Sequence, residues 1–317
     1  MLRLDDWLDI AESAKKAGTL YLLRTGGEPL LWGNFYELYE KLVKMGFLVS
    51  INTNGSLIDE KAVEFFRKFP PRQINITLYG ANNQTYRELC GVSNVFDRVD
   101  RAITNLKNAG ICVKLNCSLT PSNAKDLDFI VSYAKEKNIN LSASSYMFPP
   151  IRRKDSRKVS DFERFTPEEA AKYRLLIYKK QNGEEAYKEL LKSIKDGNVS
   201  PLGLDESCID PVDGEIRCRA GKAAYWITWD GFMLPCGLIT DIKTDIVKDG
   251  FERSWGNIVT ACDKARLSGI CEKCGNIKLC RPCAAIALAE TGSIKGVPEY
   301  LCLMSREMTR IAKSELL

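Results

Sequence analysis

The chain has 317 residues, 46 of them basic and 41 acidic, for a net charge of +5, with 45% hydrophobic and 27% charged residues. That balance belongs to a globular protein of about two domains, and it excludes a disordered tail, a collagen-like fibre and a membrane bundle. No apolar run approaches the roughly 18–20 residues of a spanning helix, the charge is too mild for nucleic acid, and the mixed-charge N-terminus is no signal peptide. We therefore expect a cytoplasmic protein with no membrane or nucleic-acid partner.

Along the chain, residues 1–17 place Leu4, Trp7, Leu8, Ala11 and Ala14 on one helical face. The apolar run LYLLRT (20–25) then predicts a buried strand, followed by Gly26-Gly27-Glu28-Pro29. The pattern continues with a helix at 34–45, a strand at 47–52, a helix at 59–69, a strand at 74–80, a helix at 94–109, a strand at 111–119, a helix at 123–137 and a strand at 139–147. Five strands alternating with helices predict a parallel sheet with right-handed crossovers, whose ligands bind beyond the carboxyl ends of the strands. The loops GGEP, TNG and YGANN stand there. After Pro149-Pro150 the basic stretch 152–158 reads as a solvated linker, and 167–195 reads as helical, with Gly197 near its end. From about 205 the chain is rich in Cys and Gly, with a short strand at 225–230, and metal is expected to tie it together.

There is no histidine, which removes Ser-His-Asp and Cys-His nucleophile schemes and every His-containing metal site. Of twelve cysteines, nine lie between 208 and 302. Cys218 is followed after twelve residues by Gly231, then after four by Cys236. Cys271-x2-Cys274-x5-Cys280-x2-Cys283 comes next, then Cys302 after 18 intervening residues; nine residues separate Cys208 from Cys218. Eight thiols suffice for two four-thiolate sites, which suit zinc or iron–sulfur clusters. Spacing alone leaves both open, and disulfides are a poor third in a reducing compartment. Cys90, Cys112, Cys117 and Cys262 fall outside the pattern and read as structural.

LLRTGGEPLL, SINTNGSLI, NITLYGANNQTYRELCG and the Cys218-to-Cys302 arrangement together resemble the radical S-adenosylmethionine (SAM) enzymes that carry a C-terminal SPASM domain. The resemblance implies a partial (β/α) barrel over 1–150, a helical linker over 151–204, and a small Cys-rich SPASM domain over 205–317. It implies SAM bound by Gly26, Gly27, Glu28, Pro29, Thr53, Asn54, Thr77 and Asn116, and its cleavage to a 5′-deoxyadenosyl radical that abstracts a substrate hydrogen. It also implies two auxiliary [4Fe–4S] clusters, one on Cys208, Cys218, Cys236 and Cys283, the other on Cys271, Cys274, Cys280 and Cys302. The implied partners are a peptide or protein substrate and an electron donor such as a flavodoxin or ferredoxin.

The family's C-x3-C-x2-C motif, which anchors its SAM-binding cluster, does not occur in residues 1–317. The expectation is an N-terminal truncation that removes the first strand, leaves strand 20–25 as an unpaired edge and leaves the chain as written unable to cleave SAM; a homologue that has lost the chemistry is the other explanation. A peptide-modifying oxidoreductase is the leading reading. A sulfatase-maturing enzyme is weakened because Gly237 stands where that branch has Asp, with Asp241 a remote substitute. A non-catalytic peptide-binding module holding zinc or inert clusters is the reading from another class. No catalytic acid or base is assigned.

Overall fold

A computed structural model describes residues 1–150, 163–198, 214–216 and 218–316. The basic stretch 152–158 and Cys208 lie outside the described residues. The chain divides into two compact units, Arg3–Ser144, and Met1–Leu2 with Ser145–Leu317.

The first unit alternates helices and strands: α1 (Leu4–Lys16), β1 (Tyr21–Arg24), α2 (Phe35–Lys44), β2 (Leu48–Thr53), α3 (Glu60–Lys68), β3 (Gln73–Thr77), α4 (Asn83–Cys90), α5 (Phe96–Asn108), β4 (Val113–Ser118), α6 (Leu127–Glu136) and β5 (Asn140–Ser144). The five strands are parallel in the order β1-β2-β3-β4-β5, so β1 is an edge of the sheet. No closed barrel forms among the described residues. Helix α4 is absent from the sequence prediction, because its NQTYRELC run buries only Thr85 and Tyr86 and has no readable apolar period. Its ends explain it instead: the Asn82 side chain accepts from Thr85 N, and Gly91 closes the helix in the left-handed region at φ 70°.

Strand alternation gives this sheet two unlike faces. Val49, Ile51, Ile74, Ile76, Val113, Leu115 and Cys117 are buried on one. The other carries Asn52, Gln73, Asn75, Thr77, Lys114, Asn116 and Ser142 in neighbouring register. There Gln73 donates to Asn75 Oδ1, and Asn75 Nδ2 donates to Asn52 Oδ1 at 2.7 Å. A sheet with one polar face fits an open, lumen-like surface better than burial on both sides.

The second unit holds α7 (Pro167–Asn182), α8 (Glu184–Lys195), β6 (Trp226–Ile227), β7 (Phe232–Leu234), β8 (Thr244–Asp245), α9 (Ile246–Asp249), α10 (Phe251–Lys264), α11 (Gly269–Glu272), α12 (Ile277–Cys280), α13 (Ala284–Thr291) and α14 (Glu299–Glu315). The helical stretch expected over 167–195 is two helices, parted where Gly183 takes φ 91°. Thr166 and Glu169 start α7 with a capping box, and Pro167 occupies its first turn. Both helices pack on α14, burying Ala171, Leu175, Leu191, Ile194, Met304 and Met308. Residues 167–195 and the C-terminal helix α14 thus share an apolar core. The strand expected at 225–230 is confined to Trp226–Ile227, because the chain turns at Gly231 (φ 91°) to pair it antiparallel with β7. Among the described residues no helix is long and apolar enough to cross a membrane.

Candidate functional site

The loops after β1 and β2 meet through one carboxylate. Glu28 Oε1 and Oε2 accept from Thr53 Oγ1 at 2.8 and 2.9 Å, Oε2 accepts from Asn54 N at 2.8 Å, and Oε1 accepts from Leu30 N at 3.2 Å. Pro29 is buried in the 3-10 turn that Glu28 caps. Thr53 Oγ1 in turn accepts from Gly55 N at 3.0 Å, and Asn54 Oδ1 accepts from Ser56 N at 2.8 Å. Gly55 sits at φ 77°, where a Cβ would stand 3.0 Å from Ile76 Cγ2, so the TNG turn demands glycine. Glu28, one of the residues the resemblance implies for SAM, is also the clamp that joins the ends of β1 and β2.

Gly26 and Gly27 differ from Gly55. Neither has positive φ, and a Cβ on either would meet nothing in the protein within 4 Å. The protein's own packing therefore does not require them, and the space before them is open to a ligand, which fits a group laid against the backbone. Thr77 and Asn116 are register partners on β3 and β4, both half-buried on the polar face. Thr53, Thr77 and Asn116 thus lie in the carboxyl-end halves of β2, β3 and β4, and Gly26, Gly27, Glu28, Pro29 and Asn54 in the loops that follow β1 and β2.

Two residues missed by sequence reasoning tie the next loops together. Asp126 Oδ2 accepts from Thr85 Oγ1 at 2.6 Å and Ala81 N at 2.9 Å. Asn123, fully buried, donates to Tyr79 O at 2.9 Å and Ser118 O at 3.2 Å, while its Oδ1 accepts from Thr120 N at 2.7 Å. The loop packs so closely that a Cβ at Gly80 would lie 2.4 Å from Thr85 Cγ2. Their only signal in the sequence is a polar TPSNAKD run after a strand, which reads equally as a helix start.

In the second unit the thiols form two groups. Cys283 caps α13, its Sγ accepting from Ile286 N at 3.4 Å. Its thiol is pushed up to about 11, by burial first, opposed by backbone N–H groups and reinforced by its neighbours Cys218 and Cys236. Cys280 is pushed up to about 12, by burial first and then by Cys302, Cys271 and Cys274, with the Ser305 hydroxyl opposing. Three thiols of one expected set and all four of the other therefore sit within electrostatic reach of one another; the remaining member, Cys208, is outside the described residues. No disulfide forms among the described cysteines, and among the described residues no three His, Cys, Asp or Glu side chains converge tightly enough for a single metal ion. Two soft thiolate sets at this spacing fit iron–sulfur clusters.

Of the cysteines outside the pattern, Cys117 and Cys262 are buried and Cys90 and Cys112 are exposed. Cys262 presses against Gly221, where a Cβ would lie 2.3 Å from its Sγ. Gly237 lies beneath Trp226, where a Cβ would stand 3.0–3.2 Å from the indole. Asp241 is exposed.

This parallel sheet with its carboxyl-end loops defines an α/β protein of the radical SAM type. Residues 1–134 match the Radical SAM superfamily. An AdoMet-dependent heme synthase from Methanosarcina barkeri (strain Fusaro / DSM 804) is 24% identical over 307 residues, covering 92% of this chain and 84% of its own length. Native anSMEcpe with bound AdoMet superposes with a TM-score of 0.66 at 19% identity, covering 100% of this chain and 89% of that one. Streptococcus suis SuiB bound to precursor peptide SuiA superposes with a TM-score of 0.62 at 19% identity, covering 95% and 69%. These likenesses establish a shared fold.

Proposed function

We propose that the protein is a radical SAM/SPASM oxidoreductase that modifies a peptide or protein side chain and carries two auxiliary [4Fe–4S] clusters. The observation that carries this reading is the grouping of Cys218 and Cys236 with Cys283, and of Cys271, Cys274 and Cys302 with Cys280. SAM and the clusters, when bound, supply the one-electron chemistry that removes a hydrogen atom from the substrate. The chain's own residues do the holding. The open backbone at Gly26 and Gly27 receives the methionyl part of SAM beside Glu28, and Thr53, Asn54, Thr77 and Asn116 offer hydroxyl and amide groups to its nucleoside. A small electron carrier of the flavodoxin or ferredoxin type serves as donor.

Metal and sulfide analysis of anaerobically prepared protein tests this. About eight irons with matching sulfide support the two-cluster reading. Two zinc ions and no iron would overturn it in favour of a binding module. Because residues 1–317 contain no C-x3-C-x2-C trio, protein of these residues alone should form no 5′-deoxyadenosine from SAM and a reductant. Formation of that nucleoside overturns this part of the reading.

For the substrate, the SuiB structure with its precursor peptide supports a peptide. Gly237 stands where the sulfatase-maturing branch has Asp, and a Cβ there would crowd Trp226 at 3.0–3.2 Å, which argues against sulfatase maturation. The heme synthase relative favours a second reading, a tetrapyrrole substrate. A mass change in a peptide encoded beside the gene supports the first; a mass change in a porphyrin supports the second.

A further inference from the structure

The polar face of the first unit's sheet contains one straight row that stability does not explain. Asn52 pairs in register with Asn75, Asn75 with Lys114, and Lys114 with Asn140, so these residues cross β2 to β5 side by side. Asn52, Asn75 and Lys114 are half-buried. Central strands of a parallel sheet are ordinarily apolar on both faces, and Asn and Lys are poor strand formers. A row that breaks both rules in the middle of a sheet marks a place kept for a ligand.

The chemistry of the row is weighted towards donors. Asn75 Nδ2 donates to Asn52 Oδ1 at 2.7 Å, and Asn75 Oδ1 accepts from Gln73. These bonds engage the carbonyl of each asparagine and leave N–H groups on both. Lys114 adds an ammonium group, which can only donate. The sequences of β1 to β5 contain no Asp or Glu. Arg24 pairs in register with buried Ile51 and so belongs to the apolar face, which leaves Lys114 as the charge on the polar one. Glu28, on the loop after β1, is already engaged by Thr53, Asn54 and Leu30. Thr77, Asn116 and Ser142 form the next row towards the carboxyl ends, roughly 7 Å along the strands.

We propose that the row Asn52, Asn75 and Lys114 binds a carboxylate arm of the substrate, with Lys114 as its charge partner. This rests on the reading above, in which Thr77 and Asn116 meet the nucleoside of SAM. A carboxylate held one row below them carries a carbon a few bonds away up to their level, where the hydrogen is taken. Lys114 is then a specificity-determining residue that selects acidic substrates over neutral ones. A peptide offers such an arm on Asp or Glu, and a porphyrin offers it on its ring substituents.

The test follows the side-chain amide NMR signals of Asn52 and Asn75, in protein made with isotope-labelled asparagine, during titration with glutarate. Glutaramide, of the same shape without charge, is the control. The expected result is that glutarate moves both signals along a saturating curve while glutaramide leaves them in place. Lys114→Gln should weaken glutarate about tenfold, the loss of one charge-assisted contact, and Lys114→Arg should bind it like the wild type. Signals that ignore glutarate, that follow glutaramide equally, or that respond unchanged in Lys114→Gln overturn the inference. Tighter binding of a glutamyl tripeptide than of a porphyrin tetracarboxylate assigns the arm to a peptide, and the reverse order assigns it to a tetrapyrrole. Iron-free protein that still binds glutarate overturns the proposed function and leaves the carboxylate site standing.

Discussion

Glu28 and Thr53, at the ends of neighbouring strands, are joined by a hydroxyl that donates to both carboxylate oxygens, at 2.8 and 2.9 Å. Removing that donor leaves a half-buried carboxylate short of a partner. Thr53→Val should cost about 1–3 kcal/mol, read as a lower urea midpoint, and Thr53→Ser should restore most of it. Equal midpoints for the Val and Ser variants would show that the link carries no stability.

Asp126 holds the loop after β3 to the loop after β4 with two charge-assisted hydrogen bonds. Asp126→Ala should destabilise the protein by about 2–4 kcal/mol and speed amide exchange at Ala81. Asp126→Asn, which keeps an acceptor oxygen, should cost less. Unaltered exchange in the Ala variant would mean that Asn123 alone holds the loop.

How much of this was legible in the sequence depends on whether the signal is local. The parallel strands and the GGEP, TNG and YGANN loops follow from apolar periodicity and turn chemistry, and the structure has them within a few residues. Helix α4 and the break at Gly183 do not, because a capped eight-residue helix has little period and an isolated glycine inside a helical run reads as tolerated. Asn123 and Asp126 are invisible for another reason. Each draws its meaning from a group brought near only by folding, and alone each reads as a solvated polar residue.

A third prediction concerns the second unit. Arg164 binds Glu290 through two N–H···O bonds at 2.7 and 3.1 Å, Tyr146 donates to the same carboxylate at 2.7 Å, and Arg164 lies 4.2 Å over the Tyr300 ring. The pair is largely buried, with side-chain exposures of 14% and 8%. Glu290→Ala strands a buried guanidinium and should cost about 3–5 kcal/mol. Calorimetry should show a lower Tm for this variant than for Lys222→Ala, which breaks the exposed Lys222–Glu215 pair.

The fourth is a pH effect. Burial pushes the Cys117 thiol up to about 12, from 9.0 when exposed. Above pH 9 the unfolded chain gives up this proton while the folded one keeps it, so folded protein binds more protons and stability falls as pH rises from 9 towards 12. The slope for this one group is about 1.4 kcal/mol per pH unit. Urea midpoints at pH 8, 9 and 10 should decline, and Cys117→Ala should flatten the decline. Parallel slopes in the two proteins would remove Cys117 as the cause.

The amide chain on the polar face of the first unit has a sense of direction. Gln73 gives its N–H to Asn75, and Asn75 gives its own to Asn52, so no member can rotate by half a turn without forcing its neighbours to do the same. Asn52 is left with an amino group to offer and Gln73 with a carbonyl. A molecule arriving on that surface therefore meets a giver at β2 and a taker at β3, a handedness written into three side chains before any guest is present.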